Sequence, residues 1–281
     1  MLTSADPELR SRAVEVLQQT HDPKVIAYAL EEEQKLGSQF YWRYALNRYA
    51  YYEYFDVIES EVRLLYPPRA YHLYFPQGYV QEKNQSPPLH PTWTNAELVS
   101  PSVAFGGVFD EVCPKCGREL QHLLTLEPLP DGLGVGGVSR LVLAVCTNSY
   151  CLGLGPDVAL FYQHDEQGRP HGISSESVVR EGEIPYLAHT IAHLGATSDR
   201  WVWQDVNSRW ANLHRLGGLP SWVQDPGHPG CPQCGHSMDF LMQLDSGLQA
   251  KESGYARWCS GLLYTFWCDD CKVSAFFRQC C

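Results

Sequence analysis

The segment "GCPQCGHSMDFLMQLDSG", residues 230–247, joins a pair of cysteines to an alternating apolar run. The proline and glycine in Cys-Pro-Gln-Cys-Gly favour a tight turn, which aims both sulfur atoms at one point. The period-two alternation in "MDFLMQLD" is typical of a half-buried β-strand. This stretch therefore predicts a metal-binding turn that anchors a strand.

The same pattern occurs earlier in the chain, because the Cys-Pro-Lys-Cys-Gly segment that begins at Cys113 lies 118 positions before the one that begins at Cys231. The match continues into the next apolar residues, where Leu120 falls on Met238 and Leu123 on Leu241. Self-similarity at a fixed shift is the signature of an internal repeat. We predict two copies, at about residues 101–165 and 216–281.

Each copy also supplies a second cysteine pair, and four thiolates in two close pairs are the ligand set of a tetrahedral zinc ion. Complete four-cysteine sets leave no open position for catalysis, and the strand-like segments lack the helix N-terminus that a redox Cys-x-x-Cys pair needs. We predict two structural zinc ions, with these ligands: Cys113, Cys116, Cys146 and Cys151 in the first set, and Cys231, Cys234, Cys268 and Cys271 in the second.

Three further cysteines, Cys259, Cys280 and Cys281, fall outside these sets. Burial as small hydrophobic side chains or exposure at the end of the chain is the simplest expectation for them. Substitution for a ligand in the second site is the alternative.

The charge of the chain indicates which partners it can bind. It has 21 Lys and Arg residues and 32 Asp and Glu residues, a formal net charge of -11. Such a chain lacks the basic patch that direct nucleic-acid binding requires, and a basic protein is its better electrostatic match.

The 11 cysteines indicate metal or reactive thiols in a reducing compartment. With no apolar run of about 18 residues and no signal-peptide pattern, we expect a cytoplasmic protein without membrane contact.

The expected fold is α+β, with N-terminal helices followed by a duplicated β-rich domain. Asp6-Pro7 and Asp22-Pro23 each place an N-cap carboxylate before a proline, which predicts helices within a region 1–66. Residues 67–100 are rich in proline and polar side chains, as in a connector with room for one short strand. Short apolar runs then predict a β domain over residues 101–281.

Residues 38–55 are dense in aromatic side chains, and several recur at helical spacing. Tyrosine, tryptophan and arginine dominate interface hot spots, so this segment is a candidate partner-binding surface. A core-facing stripe explains the same periodicity and stays open as the alternative. The candidate contact residues are Tyr41, Trp42, Tyr44 and Tyr52.

Catalytic constellations are weak in this sequence. His189 and His193 have the spacing of a helical metal chelate, but Thr190 stands where the zinc-protease motif needs glutamate. The glycines of residues 132–137 lack the lysine and helix of a phosphate-binding loop. We expect a protein that is not an enzyme, although a triad assembled from distant residues remains an alternative.

Residues 216–247 resemble the YwqG-like family of bacterial proteins, in which a Gly-Gly-x-Pro-x-Trp-x-Gln segment precedes a strand ending in Gln-x-Asp. They are also similar, more distantly, to the programmed-cell-death-protein-2 family, which pairs such a segment with zinc-binding cysteines. The matching positions are Gly217, Gly218, Pro220, Trp222, Gln224, Gln243 and Asp245.

Both resemblances imply a duplicated β-rich fold and a binding role. Some YwqG-like relatives are immunity proteins that neutralise a toxin by direct binding, and the other family resembles chaperones or adaptors for ribosomal proteins. The expected function is therefore an immunity protein that binds a cognate toxin, such as a nuclease or another nucleic-acid-directed effector. A chaperone or adaptor for a basic ribosomal protein is the alternative.

Overall fold

The computed structural model describes residues 22–36, 55–58, 61–81, 98–173, 184–197, 213–256 and 261–280, with isolated positions at 6, 8–9, 12–13 and 182. The chain divides into two compact units, Met1–Leu65 and Tyr66–Cys281. Residues 67–81, which the sequence assigns to a connector, lie in the second unit and include one of its strands.

Among its described residues, the first unit holds one helix with defined bounds, helical residues at 8–9 and 12–13, and one strand pair. Helix α1 spans Pro23–Leu36, and the Asp22 carboxylate accepts a hydrogen bond from Lys24 N at 2.9 Å, as an N-cap does. Strands β1 (Phe55–Ile58) and β2 (Glu61–Leu64) then pair antiparallel, with Val57 opposite Val62.

The expectation of an α+β fold with N-terminal helices is therefore wrong. The described chain is mainly β, with α1 as its one α-helix with defined bounds and a short 3-10 helix at Pro156–Val158. Residues 55–58 and 61–64 form paired strands where helix was predicted, because β-branched Val57, Ile58 and Val62 favour extended backbone.

The second unit is built on one antiparallel sheet of 12 strands. Its order is β5-β6-β4-β10-β3-β11-β12-β15-β16-β8-β9, with β7 on the other edge of β6, and β13 pairs with β14 separately. The bounds are β3 Ala70–Tyr74, β4 Leu98–Phe105, β5 Val108–Val112, β6 Glu119–Leu126, β7 Leu141–Val145, β8 Leu160–His164, β9 Pro170–Gly172, β10 Thr190–Thr197, β11 Arg215–Gly217, β12 Asp239–Asp245, β13 Leu248–Gln249, β14 Tyr255–Ala256, β15 Leu262–Cys268 and β16 Val273–Gln279.

The sheet curves until its two ends meet. Arg169, which precedes β9, forms an ion pair with Asp110 of β5 at 2.8 Å, and its guanidinium lies 4.9 Å from the centre of the Phe109 ring. On β7, which pairs with the other edge of β6, Val142 N donates to Gly168 O at 2.9 Å. These contacts bring the terminal strands of the sheet beside the first cysteine turn.

The two predicted copies have related strand pairings. In the first, β6 lies between the β4–β5 segment and β7, and in the second, β12 lies between β11 and β15. A Gly-Gly pair ends β11 and follows β4. In each pair the first glycine, Gly106 or Gly217, has positive φ, and an added Cβ would lie about 2 Å from a backbone carbonyl oxygen. The internal repeat stays a prediction, which these pairings support.

The core fills with the apolar side chains of these strands. β7 and β15 are buried along their whole length, so they read as continuous apolar runs, whereas β8 alternates between buried and half-buried positions. Cysteines of the two groups lie at or next to the ends of β5, β7 and β15.

Candidate metal centres

The structure brings eight cysteines into two groups of four, and the thiol sulfur atoms within each group lie within 4.8 Å of one another. Each group takes one pair from a turn before a strand and one pair from the end of another strand. The members are Cys113, Cys116, Cys146 and Cys151 in the first centre, and Cys231, Cys234, Cys268 and Cys271 in the second centre.

The two Cys-Pro-x-Cys-Gly turns have the same backbone hydrogen bonds. Gly117 N donates to Cys113 O and Gly235 N donates to Cys231 O, both at 2.8 Å. Both glycines have positive φ, 71° and 77°, and a Cβ at either would meet nothing within 4 Å. Glycine is therefore required by backbone conformation rather than by space, and the sequence pattern fixes the turn locally.

The second pair of each centre leaves a buried strand. Cys146 follows β7, and Asn148 N donates to its sulfur at 3.4 Å, which orients the lone pairs of that sulfur. Cys268 is the last residue of β15, opposite Val273 of β16. The strand register thus carries both pairs to the turns that face them.

The sulfur spacing fits a single tetrahedral ion in each centre. Four sulfurs at about 2.3 Å from one ion are separated by about 3.8 Å. The Cys116 and Cys146 sulfurs lie 3.5 Å apart, and the Cys234 and Cys268 sulfurs 3.7 Å apart. Both groups could therefore hold a metal ion with little movement of the chain.

The thiols of each group do not ionise alike. A hydrogen bond from the Cys146 thiol lowers the pKa of Cys113 to about 5, whereas burial raises the pKa of Cys151 to about 12. In the second centre, a hydrogen bond from the His236 N–H lowers the pKa of Cys234, and burial raises that of Cys271 to about 11. One negative sulfur in each group thus opposes ionisation of its neighbours, and a bound cation would remove that repulsion.

Strand β8 contacts both centres through consecutive residues. The buried Tyr162 hydroxyl accepts a hydrogen bond from Cys146 N at 3.1 Å. The next side chain, Gln163, donates to Cys271 O at 2.8 Å and bonds to Gln233 in the second turn. The sequence did not predict that Tyr162 and Gln163 contact the two centres, because alternation along β8 indicates only which side chains share a face.

The Gly-Gly-x-Pro-x-Trp segment is held against β12, β15 and β16. Ser221 N donates to the Gln243 side chain at 2.9 Å, and the Tyr264 hydroxyl donates to Ser221 O at 2.6 Å. The Trp222 ring lies parallel to the Phe277 ring, with centroids 6.5 Å apart. The residues that carry the family resemblance therefore hold this segment on the sheet.

The two histidines with helical spacing do not form a chelate. His189 precedes β10 and His193 lies within it, where four extended residues span about 13 Å. The spacing suggested a helix, but Thr190 and Ile191 are β-branched and the segment pairs with β3 and β4.

Some predicted residues lie outside the described part of the chain. These are Cys259, Cys281 and the candidate partner-binding residues Tyr41, Trp42, Tyr44 and Tyr52. Cys280 is half-buried and belongs to neither cysteine group.

Among the helices that the structure describes, none has the length and apolar character needed to cross a membrane.

Comparison with known proteins gives one curated relative, the uncharacterized protein YpfL of Salmonella typhimurium. It is 30% identical over 179 residues, which cover 61% of this chain and 39% of the relative. The chain thus matches about two fifths of the length of that protein. No family model matches the chain, so the resemblance to the YwqG-like family stays a prediction, and no solved structure matches it.

Proposed function

We propose that this chain is a non-enzymatic protein-binding protein whose second unit is stabilised by two structural zinc ions. The observation that carries the zinc assignment is the closed set of four thiols in each centre, within 4.8 Å of one another. Four protein sulfurs complete a tetrahedral shell and leave no position for water or substrate. Zinc suits such a site because thiolate ligands in a tetrahedron are its preferred structural environment.

Metal analysis of the purified protein tests this assignment. We expect about two zinc ions per chain by elemental analysis, and a count near zero, or iron in place of zinc, would overturn it. Cys231→Ser and Cys113→Ser should each reduce the count to about one or unfold the second unit, because structural zinc contributes directly to folding free energy. Cys280→Ser is the matched control, since Cys280 lies in neither group, and should retain two ions.

The binding role is proposed from charge. A net charge of -11 suits a basic partner, and opposite charges accelerate encounter as well as favour the complex. We propose a cognate toxin whose basic substrate groove this protein blocks, such as a nuclease or another nucleic-acid-directed effector. The toxin would be neutralised by contact, with no chemical step.

Co-expression tests that role. The product of each neighbouring gene is expressed in a host with and without this chain, and growth and complex formation are measured. Rescue of growth with a stoichiometric complex is expected. If no neighbouring product is toxic or forms a complex, the immunity function fails, and stoichiometric recovery of one basic ribosomal protein would instead select the chaperone or adaptor function.

A further inference from the structure

Exposed apolar side chains concentrate around the first metal centre. Among the described residues of the second unit, six large hydrophobic side chains are exposed, and four of them flank this centre in sequence. Val112 precedes Cys113, Tyr150 precedes Cys151, and Leu154 and Val158 follow in the same loop, each at least 50% exposed. We call these four residues the first-centre patch.

The second centre lacks this feature although its turn has the same hydrogen bonds. Gly230 stands before Cys231, and Asp270 stands before Cys271, in place of Val112 and Tyr150. The neighbouring exposed residues of the second turn are Pro232, Gln233, Gly235 and His236. Since the second turn has the same hydrogen bonds without such residues, the apolar side chains at the first centre are not explained by the fold of the turn.

The loop that carries the patch is held in place. Arg278 N donates to Gly153 O at 3.1 Å, Gly155 N donates to Arg278 O at 3.2 Å, and the Arg278 guanidinium donates to Ser149 O at 3.2 Å. Leu152 turns inward and is fully buried, so the loop directs Tyr150 and Leu154 outward from a fixed backbone. Side chains on a rigid backbone bind with a smaller loss of conformational entropy.

The loop that carries Tyr150, Leu154 and Val158 is negatively charged, whereas Lys115 lies in the turn that follows Val112. Asp157 lies between Leu154 and Val158 and is exposed, and the described residues place no cation within ion-pair distance of it. Asp225 is also exposed, two residues before Gly227, which lies against Pro156 of the same loop. Apolar side chains with carboxylates beside them match a partner segment that carries apolar residues next to lysine or arginine.

We infer that the first-centre patch is the docking surface for an apolar segment of a basic protein. The inference rests on the proposed binding function and deepens it by naming the face and the chemistry of the partner. Tyr150 is the expected anchor, because tyrosine is a frequent hot-spot residue and this side chain is 53% exposed. The carboxylates of Asp157 and Asp225 would pair with the flanking cations.

Titration calorimetry with two synthetic peptides of 18 residues tests the surface. Both peptides have leucine at the same positions, and their polar positions are lysine in one and glutamate in the other. We expect the lysine peptide to bind and the glutamate peptide not to. Tyr150→Ala and Leu154→Ser should each weaken binding at least tenfold. The matched controls Tyr255→Ala and Ile191→Ser, at exposed positions elsewhere, should change it less than twofold.

Zinc content and melting temperature show which variants are folded. If Tyr150→Ala does not fold, Leu154→Ser alone provides the test of the patch. Equal binding of both peptides, or binding unchanged in both patch variants, overturns the inference. The co-expression test separates it from the proposed function. Patch-dependent peptide binding without growth rescue rejects the immunity function alone, whereas growth rescue that survives Tyr150→Ala rejects this surface alone.

Discussion

Tyr162 and Gln163 allow the two metal centres to be perturbed separately from one strand. Tyr162→Phe removes the hydroxyl that accepts from Cys146 N at 3.1 Å, within a fully buried environment. A buried donor left without its acceptor costs about 1–3 kcal/mol, and loss of a group that orients a metal ligand typically costs about 10–100-fold in affinity. We expect the first centre to bind metal about tenfold more weakly, with the second unchanged.

Gln163→Leu should weaken the second centre instead of the first, and by less. It removes the donor to Cys271 O and the contact with Gln233, but Gln233 is exposed and water can replace part of the loss. A net cost of about 0.5–1 kcal/mol corresponds to roughly a threefold weakening at the second centre. The double variant should show both losses, each at its own centre.

Cadmium-113 NMR of the cadmium-loaded protein provides the assay, because each four-thiolate site should give its own resonance. Cys116→Ser and Cys234→Ser assign the two signals, and titration with a chelator gives the affinity at each. Tyr186→Phe is the control, since its hydroxyl bonds Glu119 O at an exposed position, and should alter neither affinity by more than twofold. Equal weakening of both centres by Tyr162→Phe, or of neither, would refute the argument.

Two further predictions concern stability, and both are checked by urea unfolding of the zinc-loaded protein. Gly235→Ala should cost about 1–2 kcal/mol, because φ is 77° but no atom lies within 4 Å of the added Cβ. Gly168→Ala should cost more, because its Cβ would lie 1.9 Å from Arg140 O, and equal costs would contradict this. Burial lowers the pKa of His164 to about 4 from 6.5, so the stability that its neutral form provides is complete above pH 6.5 and falls toward pH 4. The loss should reach about 3 kcal/mol, and His164→Gln should remove that part of the pH dependence, whereas an unchanged pH profile would count against it.

The two cysteine turns could be predicted because their information is local. Proline, glycine and two cysteines within five residues determine the turn, and the glycine with positive φ is the one the pattern supplies. The eight cysteines that the sequence groups by spacing are the same that the structure brings together. The N-cap at Asp22 is equally local, and α1 begins beside it.

Strands β1 and β2 were assigned to a helical region, and β10 could not be assigned from its histidine spacing, for the opposite reason. Helix and strand patterns overlap in short windows of sequence. Strand pairing decides between the two, and the partners of β10 are β3 and β4, about 90 to 120 residues earlier in the chain. No local window contains those partners.

By itself, then, the sequence determined the two groups of four cysteines, the turns that present them and the negative net charge. Only the tertiary structure decided that β8 lies against both centres and that the ends of the sheet meet at the first. It also decided that Tyr150 and Leu154 face outward while Leu152 is buried. The physical reason is that turns and ligand pairs depend on neighbours in sequence, whereas register, sheet order and exposure depend on contacts between residues far apart in the chain.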